Sequence, residues 1–556
     1  MQSSCNPVFP GRQVQLASTA KPITPFGGLV SLIAFFERIG LAAQISRLMP
    51  FTYISPNAIP PAQTLVAFMI SVVAGARRLA HTDWLRADKA LHALLGIERF
   101  PGTDTVRNLF LRFRQGHIEE FWRPLWKWLL ALSWPVPPDG FSLDLDSTVF
   151  QRSGHQEGAK RGYNPSRPGR YSHHPLLAFL AEAPLVLHAW LRSGNTGSAR
   201  GAAAFLTEAL ALMPAHWKLR TVRADSGFFE NALLTFLEVR GIPYIVVARL
   251  TQTVKRKAAG LATWTPIDEN YAWARFTLQL QGWSAPREFF AIRERIRENK
   301  SAVGRRLIDV DGYTFRVFVT NRQGDGSELW RDYNQRACCE QHIEELKNDL
   351  QADGFCMRDF YATESAFLSV CFTYNLLSLY QHASAPEQRK AGFKRPATLR
   401  AAVFIGGAVL GNRSRTPVLY IARSWNLRKK VRPFEKKAPQ KGPAKRSVPS
   451  RLQKFKKVRP FEKKACIDSL TLRPSAHALA TSQSPCFPPG RVLPLRFAGR
   501  GPAVRPRGRG ERQTDRIHAD LRALRRLARD LLLHHVQPLP HSGGSAPAAG
   551  CGDLAR

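Results

Sequence analysis

Three acidic residues carry the chemistry this sequence can do: Asp146 in FSLDLDSTVF, Asp225 at the end of LRTVRAD, and Glu340 in YNQRACCEQHIEELK. In the first stretch Phe141, Leu143 and Leu145 alternate with Ser142, Asp144 and Asp146, which is the period of a strand. Around Asp225 the small residues Ala224, Ser226 and Gly227 leave room for the carboxylate. Carboxylates projecting from neighbouring strands are the hard oxygen ligands that Mg²⁺, or Mn²⁺ in its place, prefers. Two such ions about 4 Å apart activate a water or a 3′-hydroxyl and stabilise the leaving oxygen in phosphoryl transfer. That chemistry calls for a third acidic ligand.

The third comes from a helical stretch. Tyr333, Arg336, Glu340 and Lys347 stand at i, i+3, i+7 and i+14, within roughly a 60° arc of a regular helix. One face thus offers a phenol, a guanidinium, a carboxylate and an ammonium. Arg336 can take a phosphate bidentately, Lys347 can supply a point charge, and Tyr333 can donate to or stack on DNA. The same pattern also describes an ordinary solvated face laced with pairs such as Arg336–Glu340. Glu344 shares the face and is the rival ligand, while Glu345 points farther round. Asp144 reads as a structural or secondary partner of Asp146, His173 and His174 as loop or strand-edge residues, and Cys338 and Cys339 as buried packing.

The elements that must position these residues can be read in order. Residues 1–25 are polar and irregular. Residues 26–135 are helical, with helices expected over 29–49, 61–79, 87–95, 105–115 and 118–132. Arg107, Arg112 and Arg114 stand there beside Leu109, Phe110 and Phe113, a basic, aromatic helix that suits either DNA phosphates or plain solvent. Residues 136–250 run as three strands, helix, strand, helix, strand, the order of a ribonuclease H-like α/β sheet. Residues 251–327 form a β-rich insertion, and Trp264, Trp273 and Trp283 within it read as core. Residues 328–427 complete the catalytic core, with one helix over 328–352 and another, long and apolar, over 365–382.

Charge points to a polyanionic partner: 81 Lys and Arg face 42 Asp and Glu, a net +39. Residues 428–556 hold 30 Lys and Arg against 8 Asp and Glu, so +22 lies in the tail and +17 in the rest. The tail carries KKVRPFEKKA twice, at 429–438 and 456–465, and is rich in Pro, Gly and Arg. It is expected to be disordered, or to be a reading frame run past its natural end. The eight cysteines form neither a CxxC pair nor zinc-finger spacing, which disfavours a disulfide framework and a zinc site. No signal peptide is visible and the apolar run at 62–74 is short for a membrane span, so a cytoplasmic protein is expected.

The spacing Y-(2)-R-(3)-E-(6)-K at Tyr333, Arg336, Glu340 and Lys347 resembles the signature of cut-and-paste, DDE-type transposases of bacterial insertion sequences. LDLDSTV and RADSGF resemble their first and second Asp motifs, and the loop GHQEGAKRGYNP is similar to that of the same branch. The resemblance implies a ribonuclease H-like core with a β-rich insertion. It also implies catalytic, metal-binding Asp146, Asp225 and Glu340 holding two Mg²⁺ ions. Tyr333, Arg336 and Lys347 would bind DNA beside the cleavage site. The implied partners are the element's terminal inverted repeats, target DNA and a second copy of the chain in a synaptic homodimer. A degenerate relative that only binds DNA, and a ribonuclease H-like nuclease, are the alternatives.

Overall fold

The computed structural model describes residues 3–5, 14–295, 312–384 and 392–422. These all lie in one compact unit, residues 1–446. The basic tail and its repeats lie outside the described residues.

One sheet organises the chain. Its strands are β1 (Phe141–Ser147), β2 (Leu176–Leu180), β3 (Leu185–Trp190), β4 (Leu219–Ala224), β5 (Tyr244–Val247), β6 (Thr265–Pro266), β7 (Tyr271–Leu278), β8 (Arg287–Arg295) and β9 (Tyr313–Thr320). Their spatial order is β6-β7-β8-β9-β5-β4-β1-β2-β3. β1, β4 and β5 run parallel, while β2 and β3 form an antiparallel hairpin beside β1. β1 is covered on both faces, so even Ser142 and Asp144 on its polar face are fully buried. The order of the main elements from 141 to 247 is the expected one, but the stretch read as a loop between β1 and β2 carries three short strands, Phe150–Gln151, Lys160–Arg161 and Tyr171–His173, in a small sheet of their own.

The strands of residues 251–327 continue this sheet. β9 pairs antiparallel with β5, Ile245 opposite Thr320, and β8 and β7 follow edge to edge. Trp264 and Trp283 pack within this part, against Phe315 and against Phe229 and Phe289. Trp273 lies over Gly326, where a Cβ would come within 2.3 Å of its ring.

Helices α1 (Leu29–Arg38), α2 (Leu41–Leu48), α3 (Pro61–Ala74), α4 (Lys89–Leu95), α5 (Thr103–Phe110) and α6 (Arg123–Leu130) precede the sheet. The single helix expected over 29–49 is two, because Gly40 adopts φ 70° between them. The apolar run read as a buried helix is α3, and it is almost wholly buried. No single helix among the described residues is long and apolar enough to cross a membrane. α5 stops at Phe110, so the basic, aromatic stretch is not one helix; Phe110 and Phe113 enter the core and Arg112 stacks on Tyr53. The stretch read as irregular contains short strands: Ser3–Cys5 pairs with Val14–Leu16, and Ile23–Thr24 joins a hairpin of Ala408–Arg413 and Thr416–Ile421.

After β3 come α7 (Ala202–Leu212), α8 (Asn231–Val239) and α9 (Gln252–Ala259), then α10 (Gly326–Asn334), α11 (Ala337–Glu344) and α12 (Phe360–Ser384). α12 is buried along nearly its whole length and dresses the edge strand β3. Asn375 accepts the Val186 N–H at 2.8 Å and donates to the Val186 carbonyl at 2.8 Å, as a neighbouring strand residue would. Trp126 donates to that carbonyl too, and Glu364 accepts the Leu191 N–H. Edge backbone is thereby satisfied by side chains.

The helix expected over 328–352 is interrupted twice. At Gln335 and Arg336 the bonding tightens, Arg336 N–H reaching the Tyr333 carbonyl three residues back. At Glu345–Asp349 it widens into a π-turn, Leu350 N–H reaching Glu345 five residues back.

Candidate active site

Asp146 is the penultimate residue of β1 and Asp225 the residue just after β4. These strands are parallel neighbours in which Ala224 lies beside Leu145, so one step further brings Asp225 alongside Asp146. Asp225 turns the chain: its Oδ1 accepts the Gly227 N–H at 3.0 Å, capping a short helical turn. Gly227 is needed there, since a Cβ would lie 2.9 Å from Ser198 Oγ and 3.0 Å from Asp225 Oδ1. Ser198 in turn bonds Ser147 at 2.8 Å, tying this loop to the residue after Asp146.

Glu340 on α11 completes the set. Asp146, Asp225, Tyr333, Arg336 and Glu340 line one cavity of about 560 Å³. The tightened turn aims Arg336 inward: its Nη2 donates to the Leu145 carbonyl at 2.9 Å and stands 3.2 Å from Asp146 Oδ2. The Arg336 Nε is buried without an acceptor. Burial pushes the Asp146 carboxyl up to about 6; Arg336 opposes this, while the charges of Asp225 and Glu340 add to it.

Tyr333 departs from the expected exposed face. It is only 9% exposed, packs edge-on against Phe318, and burial lifts its phenol to about 12. Lys347 lies in the π-turn, not in regular helix, and its Nζ meets Thr148 Oγ1 at 3.4 Å and the Val149 carbonyl at 3.2 Å. It braces the chain two residues beyond Asp146. The rival glutamates are engaged elsewhere, Glu344 with Arg395 and Glu345 with Tyr374 and Gln341. Asp144 is buried in a bidentate pair with Arg223. His173 ends the short strand Tyr171–His173 and His174 follows it in the loop, as expected, but both are buried, with His173 bonded to Arg152 and to the Glu157 carbonyl. Cys339 is buried as expected, but Cys338 is exposed.

Two cavity residues have no counterpart among the sequence expectations. Arg249, two residues past β5, is exposed and bonds the carbonyls of Ser226 and Gly227 beside Asp225. Arg316 projects from β9 into the same cavity. A basic residue after the strand next to the Asp225 strand was the available signal for Arg249; Arg316 comes from a strand 91 positions beyond Asp225 and gave none.

Could this donor set hold a divalent cation? Chemically it suits one: the cavity's acidic groups are three carboxylates, without thiolate or imidazole, and burial, opposed by Arg336, raises the Asp146 carboxyl to about 6. As a cage it is not closed, since no three acidic, histidine or cysteine side chains among the described residues converge tightly enough to hold an ion. Of the three, Glu340 is the exposed one.

The sequence profile described as transposase DDE domain group 1 matches residues 6–439. No curated protein matches. Among solved structures the chain is similar to the piggyBac transposase in its synaptic complex with hairpin DNA, seen by cryo-EM. The identity is 11%, over 69% of this chain and 82% of that one, with a TM-score of 0.37. A likeness that loose carries no argument.

Proposed function

Because the chain belongs to the transposase DDE domain group 1 family, we propose that it excises and inserts an insertion sequence by metal-dependent cleavage and joining of DNA strands. The observation that carries this is the convergence of Asp146, Asp225 and Glu340, from two adjacent parallel strands and a helix, on one cavity. We read β1–β5, in the order β3-β2-β1-β4-β5, as a ribonuclease H-like core whose insertion enters after β5.

Asp146, Asp225 and Glu340 would hold two Mg²⁺ or Mn²⁺ ions. Such ions polarise the scissile phosphate and make a water or 3′-hydroxyl a better nucleophile. The chain's own residues do the rest. Arg249 and Arg316 present exposed guanidinium groups to the DNA backbone entering the cavity. Arg336 keeps Asp146 oriented through its bonds to Asp146 and the Leu145 carbonyl. Lys347 steadies the segment after Asp146 from Thr148 and Val149. Buried Tyr333 walls the cavity and, with its phenol at about 12, remains a neutral donor toward a phosphate oxygen. DNA partners are the terminal repeats and the target, handled by a homodimer in the cytoplasm. The helical region 26–135 would contact the ends or the second protomer.

The ion pair between Arg336 and Asp146 favours a second reading, in which the guanidinium has replaced the cation and the chain binds DNA without cutting it. One experiment separates them. The purified chain is incubated with duplex DNA carrying its element's ends, with and without Mg²⁺ or Mn²⁺. Cleavage that requires the ion supports the transposase; stable binding with no cleavage in either ion supports the degenerate relative. Preference for an RNA–DNA hybrid would replace both with a nuclease.

A further inference from the structure

Beside the two aspartate strands lies a buried ionic cluster drawn from β1, β4, α10 and the residue Arg322 just past β9. Arg223 of β4 is wholly buried. Its Nε and Nη2 donate to the two oxygens of Asp144 on β1 at 2.6 and 2.9 Å, and its Nη1 to Asp332 Oδ1 on α10 at 3.0 Å. Asp332 also takes Arg220 at 3.0 and 3.1 Å and Arg322, just past β9. Alternation along a strand puts residues i and i+2 on one face. Asp146 therefore follows Asp144, and Asp225 follows Arg223, on the side the cluster occupies. Asp332 directly precedes Tyr333, with Arg336 one turn on.

Burying such a cluster is costly, and well-packed apolar side chains in its place are often as stable or more so. What a bidentate guanidinium supplies instead is geometry, because its planar fork is satisfied in a single register. A slip of one residue between β1 and β4 would turn a catalytic aspartate to the opposite face. From this geometry we infer that Arg223 is a positioning residue for the metal site. Through Asp144 it fixes β1 against β4, and through Asp332 it fixes against both the helix α10, whose C-terminal end leads through Arg336 into the Glu340 helix α11, so that Asp146, Asp225 and Glu340 line one cavity. The inference rests on the metal-dependent reading above.

The test replaces the pair by apolar residues of similar size, Asp144→Leu with Arg223→Met, in the full chain. Thermal unfolding and Mn²⁺ binding, by calorimetry or electron paramagnetic resonance, are read together. Expected is a melting temperature near that of the unaltered chain with Mn²⁺ affinity reduced about tenfold or more. A folded double variant that binds Mn²⁺ like the unaltered chain overturns the inference. If the double variant does not fold, the partly exposed pair Arg220→Gln with Arg322→Gln is measured in its place. Weakened Mn²⁺ binding by that folded chain then supports the positioning role, and unchanged binding overturns it. Asp146→Asn is the control: if it binds Mn²⁺ unchanged, or the unaltered chain binds none, the metal reading itself falls and takes this inference with it.

Discussion

Arg223 and Asp144 are register partners in adjacent parallel strands, and two positions further along the same strands stand Asp225 and Asp146. The structural pair and the acidic pair share one offset of 79 residues. Whatever holds the first in register places the second, which makes the site a property of the sheet and not of its loops.

Each carboxylate can be tested alone. Asp146→Asn, Asp225→Asn and Glu340→Gln keep size and remove charge. Each should lower strand cleavage by about three orders of magnitude or more, since the ions they hold contribute several kcal/mol to the transition state. Gel-shift affinity for the element ends should persist. Substantial Mg²⁺-dependent cleavage by any variant removes that residue from the site.

Arg249 and Arg316 line the cavity on exposed side chains, and Arg316, unlike Arg249 with its bonds to the Ser226 and Gly227 carbonyls, tests the proposed DNA contact most directly. Arg316→Ala should weaken binding of unrelated duplexes as much as of the element ends. The slope of log affinity against log salt should fall by about one unit. An unchanged slope would mean that this guanidinium touches no phosphate.

Gly227→Ala puts a methyl against Ser198 and Asp225. Overpacking of this kind costs about 1–3 kcal/mol, and here part of it is expressed as a displaced Asp225 carboxylate. Cleavage should fall further than the melting temperature suggests, and Ser198→Gly in the same chain should restore part of it. Failure of that rescue, with the fold intact, would exonerate the crowding.

Burial pushes the Glu364 carboxyl up to about 7, against 4.5 in the unfolded chain. Between those values the folded state holds a proton that the unfolded state has released, so stability falls as pH rises through roughly 4.5 to 7. The full loss is at most about 3 kcal/mol above that window. Glu364→Gln keeps an acceptor for the Leu191 N–H and should remove this component. Urea midpoints at pH 5 and pH 8 would show it; parallel profiles for the two chains would refute the assignment.

Asn375→Leu strips the Val186 N–H of its acceptor while Trp126 still serves the carbonyl. A buried donor left unpaired costs about 1–3 kcal/mol. Chemical denaturation should show that loss with site chemistry unaffected in the folded fraction. A cost near zero would show that water reaches the strand.

Much of this was legible in local pattern. The alternation of Phe141, Leu143 and Leu145 marked β1, and the polar, small-residue end of LRTVRAD marked where Asp225 leaves β4. The apolar run at 365–382 marked a buried helix, which the structure extends to Phe360–Ser384. What escaped depends on tertiary contact. A helical wheel assumes a uniform 100° step, so it could not foresee the tightened turn at Arg336 or the π-turn at Glu345–Asp349, which interrupt the helix between Tyr333 and Lys347. Strand periodicity in 271–320 revealed strands but not that they would join the edge at β5, because pairing partners are not written in a strand's own alternation. Tyr333 was read as exposed since nothing near it announces Phe318.

That edge junction has a practical meaning. β9 gives β5 its second hydrogen-bonded flank, so cutting out residues 251–327 would not isolate a minimal catalytic fragment. It would strip Ile245, Val246 and Val247 of their ladder partners and leave a sticky, half-finished sheet one strand away from the strand that ends at Asp225. Anyone trimming this chain for crystallisation should leave that span in place and shorten it elsewhere.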